Sequence, residues 1–398
     1  MLFLNNAFRS SPEYKELCGE ILKGRLPSAA TGLAHIHKAA LIDTLRKDTK
    51  RRALVVVADE SEGARIKSDL ILMGAKVIDF PSRDLILRDI SGISREYEHA
   101  RLGALSKIMD GDYDVVVCGA DALLSYTIPP ETLMANRFTL KAEQTIPPAE
   151  VCGRLVSAGY TRCDTVEGVG QFALRGGILD IFPPDADNPY RIEFWGDDID
   201  SICIFDTMSQ RRDQMVDEIL ITPVLEVLTG DSDTFARRMS RLASKLEQKN
   251  KFKAYLQKTA EDAQNGILPL CADRFLPLLY TPATLLDNTA DCLTFISEAN
   301  NVKERCRTYL SSATEDVTAL FEQGMCPKGW KICSDYDTLC GELENRETVW
   351  LDTFTKGSYD TKIRSAVSFT LRQLSVWGGM TAQLAEDIAP LSSVGTPL

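Results

Sequence analysis

The stretch Thr31 to Leu41, TGLAHIHKAAL, sets Gly32 and Lys38 at the separation used by a phosphate-binding loop. A working loop, G-x-x-x-x-G-K-[ST], needs its second glycine so that backbone N–H groups can approach the phosphates. It also needs the lysine as a charge partner and the hydroxyl as a ligand for Mg²⁺. Here the second glycine is His37, an imidazole that would crowd the cradle, and the hydroxyl position is Ala39, a methyl. Gly32 and Lys38 keep the outline of the loop, while the chemistry at the other two positions is gone.

Other chemistry-bearing residues are dispersed. Eleven cysteines include no C-x-x-C pair, and Cys326, Cys333 and Cys340 recur every seven residues. Zinc sites bring two ligands two to four residues apart, so reduced structural thiols and no metal are expected. His35 and His37 read as loop or surface positions, and His99 has no metal-binding partner in sequence. Arg237, Arg238, Arg241, Lys245 and Lys249 surround an apolar stripe of Phe235, Met239, Leu242 and Leu246 at helical spacing. That pattern suits either a basic groove for nucleic acid or a solvated helix face.

The elements that must position these residues follow from periodicity. ALVVVA (Ala53 to Ala58) and DYDVVVCGA (Asp112 to Ala120) are apolar, β-branched runs, each followed by a helical pattern, as in a buried parallel sheet with crossover helices. Between them, Ser94 to Gly111 predicts a helix packing Tyr97, Leu102, Leu105 and Ile108 on that sheet. Pro129 and Pro130 mark a boundary. Ile146 to Tyr160 predicts a short helix with Pro148 in its first turn, Val151, Leu155 and Val156 clustered, and Gly159 as its C-terminal cap. From Thr161 to Asp206 alternating strands broken by Gly and Asp predict an antiparallel sheet with one wet face. Helices return after Gln210. A strand at Asp291 to Ala299, followed by a helix over Asn300 to Gly324, would make the first α/β unit discontinuous if it joined that sheet. No self-contained core is legible after residue 349.

The chain has 398 residues, 45 basic and 57 acidic, for a formal charge of −12. This balance disfavours a broad nucleic-acid surface, which needs clustered cations to displace counterions, and leaves local basic patches open. No apolar run reaches the roughly 18 to 20 residues that span a bilayer, and the N-terminus lacks a basic leader, so a cytoplasmic location without membrane contact is expected.

Gly159 to Arg211, GYTRCDTVEGVGQFALRGGILDIFPPDADNPYRIEFWGDDIDSICIFDTMSQR, closely resembles a segment of the bacterial transcription-repair coupling factors and, more distantly, the second domain of the excision-repair protein UvrB. The likeness extends over about residues 20 to 385. It implies an α/β architecture: a degenerate, RecA-like P-loop domain, discontinuous, interrupted by an inserted α+β antiparallel-sheet domain. The implied divisions are domain 1a at 1–126, domain 2 at 127–214, domain 1b at 215–348, and a linker into a following domain at 349–398. By the same resemblance domain 2 binds UvrA, while an ATP- and Mg-dependent DNA translocase motor and the contacts to RNA polymerase and double-stranded DNA lie beyond residue 398.

Two site predictions come with the resemblance. UvrB-like chains follow domain 2 with a D-E-S-H strand end, whose Asp serves Mg²⁺ and whose Glu helps activate water. Here Ser297 replaces the Asp and Glu298 remains. A magnesium nucleotide would thus lose a ligand from each side, so no cofactor and no ATP hydrolysis are expected in these residues, with residual nucleotide or DNA affinity as the alternative. UvrB-like domains also present arginines to UvrA from Y-x-R-N-D and F-R-V-R-G segments. Arg162 and Arg175 match, and the first arginine of the second segment is Ala173. If Phe172 and Leu174 face the core, Arg175 faces water, ready for forked contacts to a partner carboxylate or for an internal ion pair with Glu193 or Asp180. Gly176 and Gly177 then supply a turn. The long aromatic hairpin by which UvrB grips damaged DNA has no counterpart in Phe80 to Leu102, where Tyr97 is the one aromatic after Phe80.

Overall fold

The computed structural model describes residues 2–82, 94–269, 272–371, 381, 382 and 386. Residues 83–93 of the segment expected to lack the aromatic hairpin lie outside them.

Seven parallel strands form the main sheet in the order β15-β1-β14-β13-β2-β4-β3. They are β1 (Ser28–Thr31), β2 (Ala53–Val57), β3 (Val77–Phe80), β4 (Val115–Gly119), β13 (Leu293–Ser297), β14 (Thr348–Asp352) and β15 (Ser365–Ser368). β2 reads Ala-Leu-Val-Val-Val because both of its faces are covered. Ala53, Val55 and Val57 point into one core, with Leu41, Leu45 and Ile66 from helices His35–Thr49 and Glu60–Leu72. Leu54 and Val56 point into the other, with Leu102, Leu105 and Val302 from helices Glu96–Asp110 and Ala299–Glu322. Tyr97, expected to pack with Leu102, Leu105 and Ile108, is instead 58% exposed, because it lies in the helix's first turn beyond the sheet.

The chain leaves this sheet after β4 and returns at β13, which pairs with β2, so the α/β unit is discontinuous as the resemblance implied. Within the excursion lies a six-stranded sheet, β11-β10-β9-β8-β7-β6, antiparallel except for its short edge strand. Its members are β6 (Thr161–Arg162), β7 (Gln171–Arg175), β8 (Ile178–Ile181), β9 (Tyr190–Trp195), β10 (Asp198–Phe205) and β11 (Arg212–Met215). Helix Pro148–Ser157 packs on one face through Val151 and Leu155, and Gly159 caps it at φ +90°, while Val156 falls outside the buried stripe and is exposed.

Two segments differ from the expected divisions. β12 (Glu218–Ile221) pairs with β5 (Phe138–Lys141), and Ile219 and Ile221 join the core of the inserted unit, which therefore runs past residue 214. Residues 349–352 and 365–368, expected in a linker into a following domain, belong to strands of the main sheet. A five-residue run such as TVWLD has no core of its own, and its burial is supplied by strands some 50 to 320 residues away in sequence.

Candidate functional site

β1 ends at Thr31, and the chain turns through Gly32 into helix His35–Thr49. Gly32 adopts φ +81°, and a Cβ there would lie 2.0 Å from the Phe369 carbonyl oxygen, so glycine is required by chain packing. Lys38 is fully buried at the start of the helix. Its Nζ lies 2.6 Å from Glu298 Oε1, donates to Ser297 Oγ at 3.0 Å, and stands 3.9 Å from Glu62 Oε1. Ser297 Oγ in turn donates to Glu62 Oε1 at 2.6 Å, and the Thr353 N–H donates to Glu298 Oε1 at 3.1 Å. Burial alone would raise the Glu298 carboxyl, yet the hydrogen bonds from Lys38 and Thr353 hold it below the usual carboxylate range.

The fold thus brings together Gly32, Lys38, Ser297 and Glu298 across about 260 residues. It also pairs the charge of the lysine from within, through the Glu298 carboxylate. His37, expected in a loop or at the surface, is half-buried in the helix; its Nδ1 has no hydrogen-bond partner among the described residues, and desolvation lowers its pKa. Ala39 is fully buried. Nearby, a cleft of about 920 Å³ opens at the carboxyl ends of β2 and β4, lined by Asp59, Glu60, Asp121, Arg305, Tyr309 and Asp316. Arg305 is clamped to Asp121 at 2.5 to 3.0 Å, and Asp59, Glu60 and Asp316 are the further charged groups among the described lining residues.

On the inserted sheet, register decides where the two arginines point. Arg162 pairs with Phe172, on the face covered by helix Pro148–Ser157, whereas alternation puts Arg175 with Ala173 on the opposite face. Both arginines are exposed and lie on or beside the β6 edge. Arg175 remains 46% exposed while donating to Asp180 Oδ2 at 2.7 Å, so the exposed position and the internal ion pair coexist. Asp180 is buried and already held in a fork by Arg191 at 2.7 and 2.9 Å, with the Arg191 guanidinium over the Phe205 ring at 4.4 Å. Ala173 is buried with Val166 and Phe205, so an arginine there would have no room.

Residues 138–226 match the family described as UvrB interaction domain. Over 394 residues the chain is 24% identical to the transcription-repair-coupling factor of Bacillus subtilis, covering 96% of this chain and 33% of that protein. The corresponding proteins of Staphylococcus haemolyticus and Staphylococcus epidermidis are 25% and 23% identical, each across 88% of this chain and 31% of the relative. The chain is a UvrB-like relative of the transcription-repair-coupling factors. It spans about a third of the length of the curated relatives it matches.

In this relative of the coupling factors, the family match ends at Glu226, at the seam between the two units. Glu226 accepts from Arg101 at 2.7 Å with both side chains fully buried, and its N–H donates to Glu98 Oε1 at 2.9 Å. Asp185 of the insert accepts from Ser106 of the α/β unit at 2.6 Å.

Sequence reasoning missed Glu62, which sits on a helix with no motif around it, and Trp195. Trp195 is 83% exposed on β9, on the same sheet face as Arg175, because the register aligns Arg175, Ile178 and Glu193 in one cross-strand row and Trp195 follows Glu193 by two. Alternation within YRIEFW, with Ile192 and Phe194 inward, held the signal.

Proposed function

We propose that this chain is an interaction module that recruits UvrA, in the nucleotide-excision-repair system, to RNA polymerase stalled on DNA. The match of residues 138–226 to the UvrB interaction domain carries this reading. Arg162 and Arg175 are its contact residues, with Trp195, on the same sheet face as Arg175, as an aromatic anchor. Since the arginines stand on opposite faces, UvrA grips the β6 edge from both sides. Asp180 keeps its fork to Arg191 when Arg175 swings to a partner carboxylate, so the transfer leaves no buried charge unpaired.

ATP-driven translocation on double-stranded DNA and contact with RNA polymerase belong to parts of the relatives outside the aligned third, and the protein works in the cytoplasm. No helix among the described residues is long and apolar enough to cross a membrane. The Gly32, Lys38 and Glu298 cluster serves as a structural joint and needs no nucleotide or metal.

Titration calorimetry of the chain with purified UvrA tests the reading. Arg162→Ala/Arg175→Ala should weaken binding by at least tenfold, roughly 1.4 kcal/mol or more. Unchanged affinity in that double variant would sink the surface, and no binding by the unsubstituted chain would sink the function.

A further inference from the structure

Helices Ser232–Ser244 and Lys251–Gln264, with the turn that joins them, carry a surface the UvrA reading leaves unused. Residues 234–258 hold eight lysines and arginines against one carboxylate, Glu247, with Asp231 and Asp233 just before them, in a chain whose overall charge is −12. Phe235, Ala236, Met239 and Ala243 are buried and fix the inner face of the first helix. At about 100° per residue, Arg237, Arg238, Arg241 and Lys245 fall within an arc of roughly 100° on the outer face. All four are exposed, as are Lys249 in the turn that follows and Lys251 at the start of the second helix. Arg237, Arg241 and Lys245 form a row with steps of about 6 Å.

Several cations elsewhere are matched: Lys38, Arg46, Lys47, Arg101, Arg191 and Arg305 each hold a carboxylate. Among the described residues, none of Arg237, Arg238, Arg241, Lys245, Lys249 and Lys251 forms an ion pair within 4.0 Å. Arg237 donates only to Thr234 Oγ1 and Arg238 only to the Leu228 carbonyl, at 3.1 and 3.4 Å. The patch also lacks an apolar anchor: no large hydrophobic side chain between 232 and 264 is exposed. A protein partner draws its affinity from buried aromatic and aliphatic anchors, whereas a phosphate backbone draws it from spaced cations alone.

We propose that this helix pair binds the phosphate backbone of double-helical DNA without reading its sequence. About four phosphates are engaged by the outer row, so the logarithm of the association constant should fall against the logarithm of salt concentration with a slope near −3 to −4. Fluorescence anisotropy of a labelled DNA duplex titrated with the full chain, at salt from about 50 to 200 mM, reads this directly. Arg237→Ala/Arg241→Ala/Lys245→Ala should weaken binding at least tenfold at the lower salt and reduce the slope by about 3. Arg237→Lys/Arg241→Lys should keep the slope. Arg162→Ala/Arg175→Ala should bind the duplex as the unsubstituted chain does, which separates this surface from the one proposed for UvrA.

Circular dichroism of each variant verifies that the exposed substitutions leave the helices folded. Absence of duplex binding by the unsubstituted chain at the lower salt would overturn the proposal, as would a slope unaltered in the triple alanine variant. Displacement of the duplex by poly-glutamate as readily as by unlabelled DNA would overturn it in favour of an acidic protein partner, and preference for an RNA duplex would overturn the assignment to DNA.

Discussion

Lys38, at the place of a phosphate-loop lysine, is held by internal partners. Its ammonium is buried among Glu298, Ser297 and Glu62, where a single unpaired charge is costly and mutual pairing offsets the desolvation. Lys38→Ala should therefore destabilise the fold by about 3 to 5 kcal/mol, since it strands buried carboxylates, while Mg-ATP should give no thermal upshift in either protein. Differential scanning fluorimetry with and without Mg-ATP checks both, and a nucleotide-dependent upshift lost in Lys38→Ala would show a live phosphate site. Arg175 and Arg191 share Asp180 unequally. Arg175→Ala should shift stability by less than about 1 kcal/mol, because the exposed pair is screened and Asp180 retains its fork, whereas Arg191→Ala should cost about 3 kcal/mol or more. Urea denaturation of the two variants distinguishes the roles, and equal losses would make Arg175 a structural residue.

Helix Glu96–Asp110 is the element on which the insert sits. Arg101 reaches Glu226, the Pro81 carbonyl and the Phe80 ring, and Gly103 lies so close to the insert that a Cβ would meet the Pro184 carbonyl oxygen at 2.2 Å. His99 on the same helix packs against Gly170, near Arg95. Burial, with the charge of Arg95 adding, pulls its pKa down to about 4. The unfolded chain takes up that proton near pH 6.5, so between the two values it binds more protons than the native state. The contribution of His99 is complete above about pH 6.5 and is lost as pH falls towards 4. His99→Gln should remove this part of the pH dependence, so urea midpoints of the two proteins, compared at pH 7.5 and 5, should converge at the lower pH. A constant difference would show that His99 titrates normally.

At the scale of the whole molecule, much of the α/β unit is legible in the order of residues alone. β2 and β4 are runs of β-branched residues buried on both faces, and such runs announce parallel strands locally. The insert is legible from alternation and from its likeness to UvrB. β14 and β15 are not, because four or five residues carry no period, and what makes them strands is pairing with β1 and β13 far along the chain. Tyr97 and Val156 mislead for the same reason: helical spacing says which residues share a stripe, but not how far along the helix the neighbouring sheet extends.

The sequence by itself determined the elements with strong local period, the loss of the second glycine and the hydroxyl at His37 and Ala39, and the kinship of the inserted domain. These depend on residue identity and spacing, which need no partner. Tertiary structure alone decided that Lys38 is neutralised by Glu298 and Glu62, that Arg162 and Arg175 stand on opposite sheet faces, and that Asp180 is held by two arginines. Each of those is a contact between side chains set by strand register or chain crossing, and register is fixed only when the whole core packs.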